Sequence, residues 1–264
     1  MKYLYIILFV MFLISCEEKV DMDINPGINN YLIVEGILTN EYKNHIIYIS
    51  KPVNSIIAKP EMVSGAEVTV FSDDSVFSFT EVSPGKYQSD SFAIAIRKEY
   101  NLLIKHLGKE YSSSASAEPV TAFTPLTYYQ SVNYDSLYLI FGNFSSKEDA
   151  MWEININWQN VPGYTESTDN EALLYFYTIH TVDIAEVFAP EYKHVYFPKG
   201  TKIIQKKYSL SGNQAAFYRT MLSETDWRGG FFDVSPANLP TNMSEGALGY
   251  FGVCSVIADT ILVE

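Results

Sequence analysis

The chain has 264 residues, with 18 Lys and Arg against 31 Asp and Glu, a formal net charge of −13 and only 2 Cys. Hydrophobic residues make up 47% of it, enough core-forming side chains to exclude a disordered chain, and at this length roughly 70–75% of the unfolded surface is buried on folding, so neither disulfides nor a metal is required. The acidic balance excludes phosphate-driven DNA or RNA binding, and two Cys make neither a disulfide framework nor a structural zinc site.

Residues 1–16 read MKYLYIILFVMFLISC: Lys2, an apolar run from Leu4 to Ile14, small Ser15, then Cys16. The run is shorter than the ~20 residues that span a ~30 Å hydrocarbon core. Its order of charge, apolar centre and small residue is that of a secretory signal. Leu13-Ile14-Ser15-Cys16 resembles the lipobox of bacterial lipoproteins. That resemblance implies a signal peptide over 1–15 and an acylated Cys16 attached to the membrane. More than one acyl chain makes such an anchor stable, at about 0.8 kcal/mol per buried CH₂. Cys254 is then the one free thiol, and its apolar surroundings from Tyr250 to Ile257 read as a buried, inert side chain.

Residues 16–30 form an acidic tether. Glu17-Glu18-Lys19-Val20-Asp21-Met22-Asp23 reads as a solvated charge run, and Asn25-Pro26-Gly27 continues it without periodicity. Acidic residues directly after the Cys also resemble the surface-export signal of Bacteroidota lipoproteins. This implies an outer-membrane, lipid-anchored protein facing the extracellular side.

From Tyr31 to Thr39 the chain alternates at period two, with Leu32, Val34 and Leu38 on one face. His45–Ser50 is a second predicted strand, and residues 53–64 a loop. Ala66–Phe71 and Val76–Thr80 flank a hairpin turn at Ser72-Asp73-Asp74-Ser75. Another turn falls at Pro84-Gly85-Lys86-Tyr87. Tyr100–Lys105 and Glu110–Ser112 flank a third at Leu107-Gly108-Lys109. Short strands at regular spacing without a helix predict an antiparallel β-sandwich over 31–120. The pattern Gly65-Ala66-Glu67-Val68 with Pro84-Gly85-Lys86-Tyr87 resembles transthyretin-like and carboxypeptidase-regulatory-like β-domains of the immunoglobulin-like class, which are mostly spacers and docking units.

Glu118-Pro119-Val120 to Thr124-Pro125 marks a boundary, beyond which 125–264 reads as a second β-rich part with one packed helix. Ser136–Phe141 and Met151–Trp158 are predicted strands, the latter alternating Trp152, Ile154, Ile156 and Trp158 with polar residues. Leu173–Val182, Val195–Phe197 and Ile203–Leu210 follow, and Gly249–Val263 closes with one or two more. Ser211 with Gln214 fits a capping box that starts a helix near 211–226, stopped at Trp227-Arg228-Gly229-Gly230.

The tail is the most distinctive stretch: Gly229-Gly230-Phe231-Phe232-Asp233, Pro236-Ala237-Asn238-Leu239-Pro240-Thr241-Asn242 and Gly246-Ala247-Leu248-Gly249-Tyr250-Phe251. It resembles the C-terminal signature of the DUF4249 family, outer-membrane lipoproteins of the Bacteroidota, as do Leu32–Gly36 and the segment around Gly65. The resemblance implies a partner lipoprotein of a TonB-dependent transporter barrel and brings no catalytic residues. Taken as chemistry, the tail is a loop fixed by Pro236 and Pro240 that packs over the sheet or contacts a partner. Trp227, Phe231, Phe232, Asn238, Asn242 and Tyr250 are the candidate face for a ligand or partner.

No catalytic signature accompanies it. His45, His106, His180 and His194 show no metal-ligand spacing, and Asp73-Asp74 and Asp169-Asn170-Glu171 fall short of a calcium loop. No nucleophile elbow, phosphate loop or dinucleotide fingerprint occurs. Tyr128-Tyr129, Tyr175-Phe176-Tyr177 and Trp227 have the faces for sugar stacking, but in an all-β chain strand and core packing is the favoured reading of them. The expected function is therefore non-enzymatic and without cofactor: nutrient capture with a TonB-dependent transporter, the ligand a glycan or peptide. The rivals are a scaffold subunit of an outer-membrane complex and a surface glycan-binding protein or hydrolase.

Overall fold

Period-two alternation produces the first hairpin: β1 (Leu32–Thr39) and β2 (Lys43–Ser50) pair antiparallel and bury Leu32, Val34, Leu38, Ile47 and Ile49. This computed structural model describes residues 31–53, 58–141, 148–165, 170–179, 194–225 and 239–264. The chain is mainly β, with one helix among the described residues.

β3 (Glu67–Ser72) and β4 (Ser75–Ser83) make the hairpin expected around Asp73-Asp74. β5 (Lys86–Phe92), β6 (Glu99–His106) and β7 (Lys109–Ser116) follow. β5 replaces what reads in sequence as a turn only. Its outward Asp90 is polar and its buried Ser89 is small, so Tyr87 and Phe92 alone mark the inner face. Ser89 Oγ earns its buried place by accepting a hydrogen bond from the His45 N–H at 3.0 Å.

The Gly-Ala and Pro-Gly-x-Tyr pattern has a structural basis here. The buried Tyr87 hydroxyl donates to Val63 O at 2.9 Å and accepts from Ala66 N at 3.0 Å. The N–H groups of Gly65 and Gly85 donate to the two oxygens of Glu81, at 2.9 and 3.2 Å. Gly85 has φ +67, and a Cβ there would lie 2.5 Å from Ile49 O.

These strands and β14 (Ala247–Cys254) form one eight-stranded sheet in the order β14-β1-β2-β5-β4-β3-β6-β7. Its pairs are antiparallel except β1–β14, which runs parallel from Leu32↔Ala247 to Thr39↔Cys254. The sheet wraps onto itself. A bridge between Ser113 and Met243 and a 2.8 Å bond from Ser244 N to Ser112 O bring β7 to the residues just before β14. Val34, Ile47, Val70, Phe79, Tyr87, Leu102, Tyr111 and Phe251, one from each strand, share a single core. The result is sandwich-like, as the sequence predicts.

The second layer pair lies in 126–264. A four-stranded sheet runs β11 (Glu171–Thr178), β10 (Ala150–Asn157), β13 (Lys202–Ser209), β15 (Val256–Leu262). A small sheet runs β12 (Phe197–Pro198), β9 (Leu137–Phe141), β8 (Thr127–Gln130). They meet through Ile154, Ile156, Leu174, Phe197 and Ile203, with Tyr128 and Tyr138 packed on them. Helix α1 (Gly212–Glu224) starts at the predicted cap, where Ser211 Oγ accepts from Gln214 N at 3.3 Å. The glycines expected to stop it lie outside the described residues. Its Phe217 ring sits 5.1 Å from Tyr250 on β14.

Two features join the segments on either side of the expected boundary. β14 belongs by sequence to 125–264, yet it completes the sheet built from 31–120. The chain then enters the other sheet after one residue, Ser255, held by Asn40 Oδ1 accepting from Val256 N at 2.7 Å and Ser209 Oγ accepting from Ser255 N at 2.9 Å. The segment 118–125 is tied down as well: Lys207 Nζ donates to Thr121 Oγ1 at 2.9 Å, and Leu126 N donates to Gln205 Oε1 at 3.1 Å.

Candidate functional site

Where the eight-stranded sheet, the four-stranded sheet and α1 meet, they leave a cavity of about 300 Å³. Strand alternation decides who lines it. On one face of β11–β10–β13, Tyr177, Met151 and Tyr208 form one cross-strand row, and Tyr175, Glu153 and Lys206 the next. The opposite face carries Phe176, Ile154 and Ile203 into the core against the small sheet. The first face supplies Met151, Glu153, Tyr175, Tyr177 and Tyr208 to the cavity. The floor comes from Ile37 and Thr39 on β1, one rim from Lys43 on β2, and a wall from Tyr218 on α1.

The electrostatics divide into two parts. Glu41, in the β1–β2 turn, accepts from Lys43 Nζ at 2.6 Å and from Lys206 Nζ at 2.7 Å. Burial opposes its charge, but these lysine bonds and charges bring its pKa down to about 2. Glu153 is different: its Oε2 accepts from the Tyr208 hydroxyl at 3.1 Å. Burial, helped by the Glu153 charge, raises the pKa of both Tyr208 and Tyr175, so both phenols stay neutral. Tyr175 remains 48% exposed while Tyr208 is buried. The cavity therefore presents four tyrosines, the apolar Ile37 and Met151, the Thr39 hydroxyl, one carboxylate and a lysine already paired with Glu41 to whatever enters.

The residues singled out by sequence fall elsewhere or outside the described chain. Cys16, Trp227, Phe231, Phe232 and Asn238 lie outside the described residues. Asn242 spends its amide on the β14 backbone, with Nδ2 donating to Phe251 O at 2.7 Å and Oδ1 accepting from Phe251 N at 3.0 Å. It also borders a second depression, of about 360 Å³, with Phe71, Asn101 and Ser112 on the outer face of β3–β6–β7. Tyr250 packs on α1. The structure does not bring these two into the tyrosine cavity. Sequence reading missed Glu153, Tyr208, Tyr218 and Lys43; the available signal was that Tyr175 with Tyr177, and Met151 with Glu153, share faces at period two. The pairing of their strands carries the rest.

Cys254 is fully buried, and burial pushes its thiol up to about 12, so it stays protonated. Among the described residues no group of three His, Cys, Asp or Glu is arranged to hold a metal. Asp74 instead pairs with Lys98 at 3.3 Å, and Glu171 accepts from Asn157 Nδ2 at 3.4 Å.

A family model described as Domain of unknown function (DUF4249) matches residues 17–259, nearly the whole chain. The chain belongs to the DUF4249 family. The match covers the tyrosine cavity of this DUF4249 protein and all three of its sheets, ending within β15 at Asp259. No protein of curated function matches it.

The site also sits beside a pH-sensitive element. His45 on β2 is buried with its ring 4.4 Å from Phe92 and Nε2 donating to Phe92 O at 3.0 Å. Burial lowers its pKa, so below the unfolded value of about 6.5 the unfolded chain binds the proton first. Stability is therefore full above about pH 6.5 and falls as pH drops toward the folded value. Glu41 adds a second decline, from about 4.5 toward 2. The urea midpoint of the DUF4249 protein should be flat from pH 8 to 7 and fall in these two steps. A flat midpoint down to pH 5 would show that His45 protonates as easily folded as unfolded.

Proposed function

We propose that this DUF4249 protein is a non-enzymatic lipoprotein of the outer membrane, anchored through Cys16 and facing outward. It captures a small ligand in the tyrosine cavity and delivers it to a TonB-dependent transporter. The observation that carries this reading is the cavity itself. A concave site of about 300 Å³ with aromatic walls and a few convergent polar groups has the form of a small-ligand pocket. A scaffold surface is instead flat, with an apolar centre. The address is supported by the lipobox-like Leu13-Ile14-Ser15-Cys16 and by the acidic residues after it. Transfer requires a ligand held weakly enough to leave, which suits a site still open at Tyr175.

The test is a pull-down from detergent-solubilised outer membranes of the native host through a C-terminal tag. One large transporter barrel at stoichiometric level is the expected result, together with an acylated N-terminal peptide beginning at Cys16. Recovery alone, or with a many-subunit assembly, would overturn capture for a transporter and favour a scaffold.

A further inference from the structure

Within the tyrosine cavity the charges are unequally satisfied. Lys43 on the rim and Lys206 beside Glu153 in the cross-strand row both bond Glu41, at 2.6 and 2.7 Å, rather than Glu153. Glu153 receives one hydrogen bond, from Tyr208 to Oε2, and Oε1 has no partner among the described residues. One open carboxylate oxygen thus borders a space lined by Tyr175, Tyr177, Tyr208 and Tyr218, with Ile37 and Met151 as its apolar side chains. Aromatic faces attract a cation through their quadrupoles, and the attraction strengthens as water is excluded. A carboxylate on the same wall supplies the counter-charge.

From this juxtaposition we infer that the cavity selects an organic cation, a ligand carrying a primary or quaternary ammonium on a short apolar stem. The inference rests on the capture reading and narrows its ligand class. Four further observations agree with it. Tyr175 and Tyr208 stay neutral beside Glu153, so the wall keeps a single negative charge rather than gaining phenolates that would trap protons. Lys43, the one cation on the rim, is within 2.6 Å of its own counter-ion and does not repel an incoming ammonium at full strength. The net charge of −13 steers cations toward the protein from a distance. The apolar side chains of Ile37 and Met151 suit methyl groups or a methylene stem.

The probe is choline, compared with 3,3-dimethyl-1-butanol, which has the same shape without the charge, and with methyl glucoside as a neutral sugar. Binding to the full mature protein in detergent is read by saturation-transfer NMR and titration. Choline should bind at least tenfold more tightly than the neutral alcohol. Glu153→Gln, which keeps an acceptor for Tyr208, should bring choline down to the level of the alcohol, and Tyr175→Ala should weaken it about fivefold. An unchanged urea midpoint in both variants confirms that the fold is intact. Equal binding of choline and the alcohol, or choline binding untouched by Glu153→Gln, would overturn the inference. So would methyl glucoside binding in choline's place, although capture would then stand with a different ligand class. Capture itself fails by a separate readout, a pull-down that recovers no transporter.

Discussion

Gly249→Ala should cost the DUF4249 protein roughly 3 kcal/mol or more, a large share of the ~5–15 kcal/mol that holds a typical domain together. Two effects add at this position. Gly249 has φ +94, where a side chain costs about 1–3 kcal/mol in backbone strain. A Cβ built there would also lie 2.1 Å from Val34 O, a backbone atom with no freedom to step aside. Relief requires β14 to move off β1, and with it the parallel register from Leu32↔Ala247 to Thr39↔Cys254. A control separates the two effects. Gly108, in the β6–β7 turn, has φ +75, but nothing lies within 4 Å of its would-be Cβ. Gly108→Ala should therefore cost only the strain, about 1 kcal/mol. Urea unfolding of both variants decides it. Equal losses would mean that the β1–β14 contact yields and that the glycine of the tail signature serves backbone conformation alone.

The second large effect is asymmetric by design of the buried ion pair. Lys207 is 2% exposed, while Glu148, its partner at 2.5 Å, keeps 26% of its side chain in solvent. Lys207 Nζ also sits 5.3 Å from the Trp152 ring centre and bonds Thr121. Removing the acid by Glu148→Gln leaves a cation in the interior and should cost about 3 kcal/mol. Removing the cation by Lys207→Met leaves a carboxylate that water reaches, and the new side chain fills the same apolar slot beside Trp152. That change should cost about 1 kcal/mol, mainly the lost grip on Thr121. Denaturant midpoints with unchanged slopes measure both. A larger loss for Lys207→Met would show that the hold on the 118–125 segment, not the buried charge, dominates.

Both predictions concern elements whose meaning the sequence shows only in part. Strands such as 31–39 and 151–158 are legible because one face is buried and the other is not, which imposes period two. The cap at Ser211 is legible because its chemistry is local, completed within three residues. β5 is not, because its inner face is half filled by Ser89, whose partner is His45 from another strand. The tail signature shows the same divide. Its glycines stand out in sequence, but the reason for Gly249 is Val34, more than 200 residues earlier. Asn242 looks like an available binding group until Phe251 takes both ends of its amide.

The cavity is the extreme case. Tyr175 and Tyr177 were visible as an aromatic run, with Phe176 between them pointing the other way into the core. Nothing local says that Glu153 and Tyr208 stand beside them, or that Ile37 and Lys43 close the space from a different sheet. By itself, the sequence determined the β class, the helix after Ser211 and its start, the buried thiol, and the family. The tertiary structure alone decided the parallel return of β14 to β1, the pinning of the 118–125 segment and the membership of the cavity. The physical reason is range: alternation and capping are written in neighbouring residues, whereas strand order, register and the sharing of counter-charges depend on contacts between distant parts of the chain.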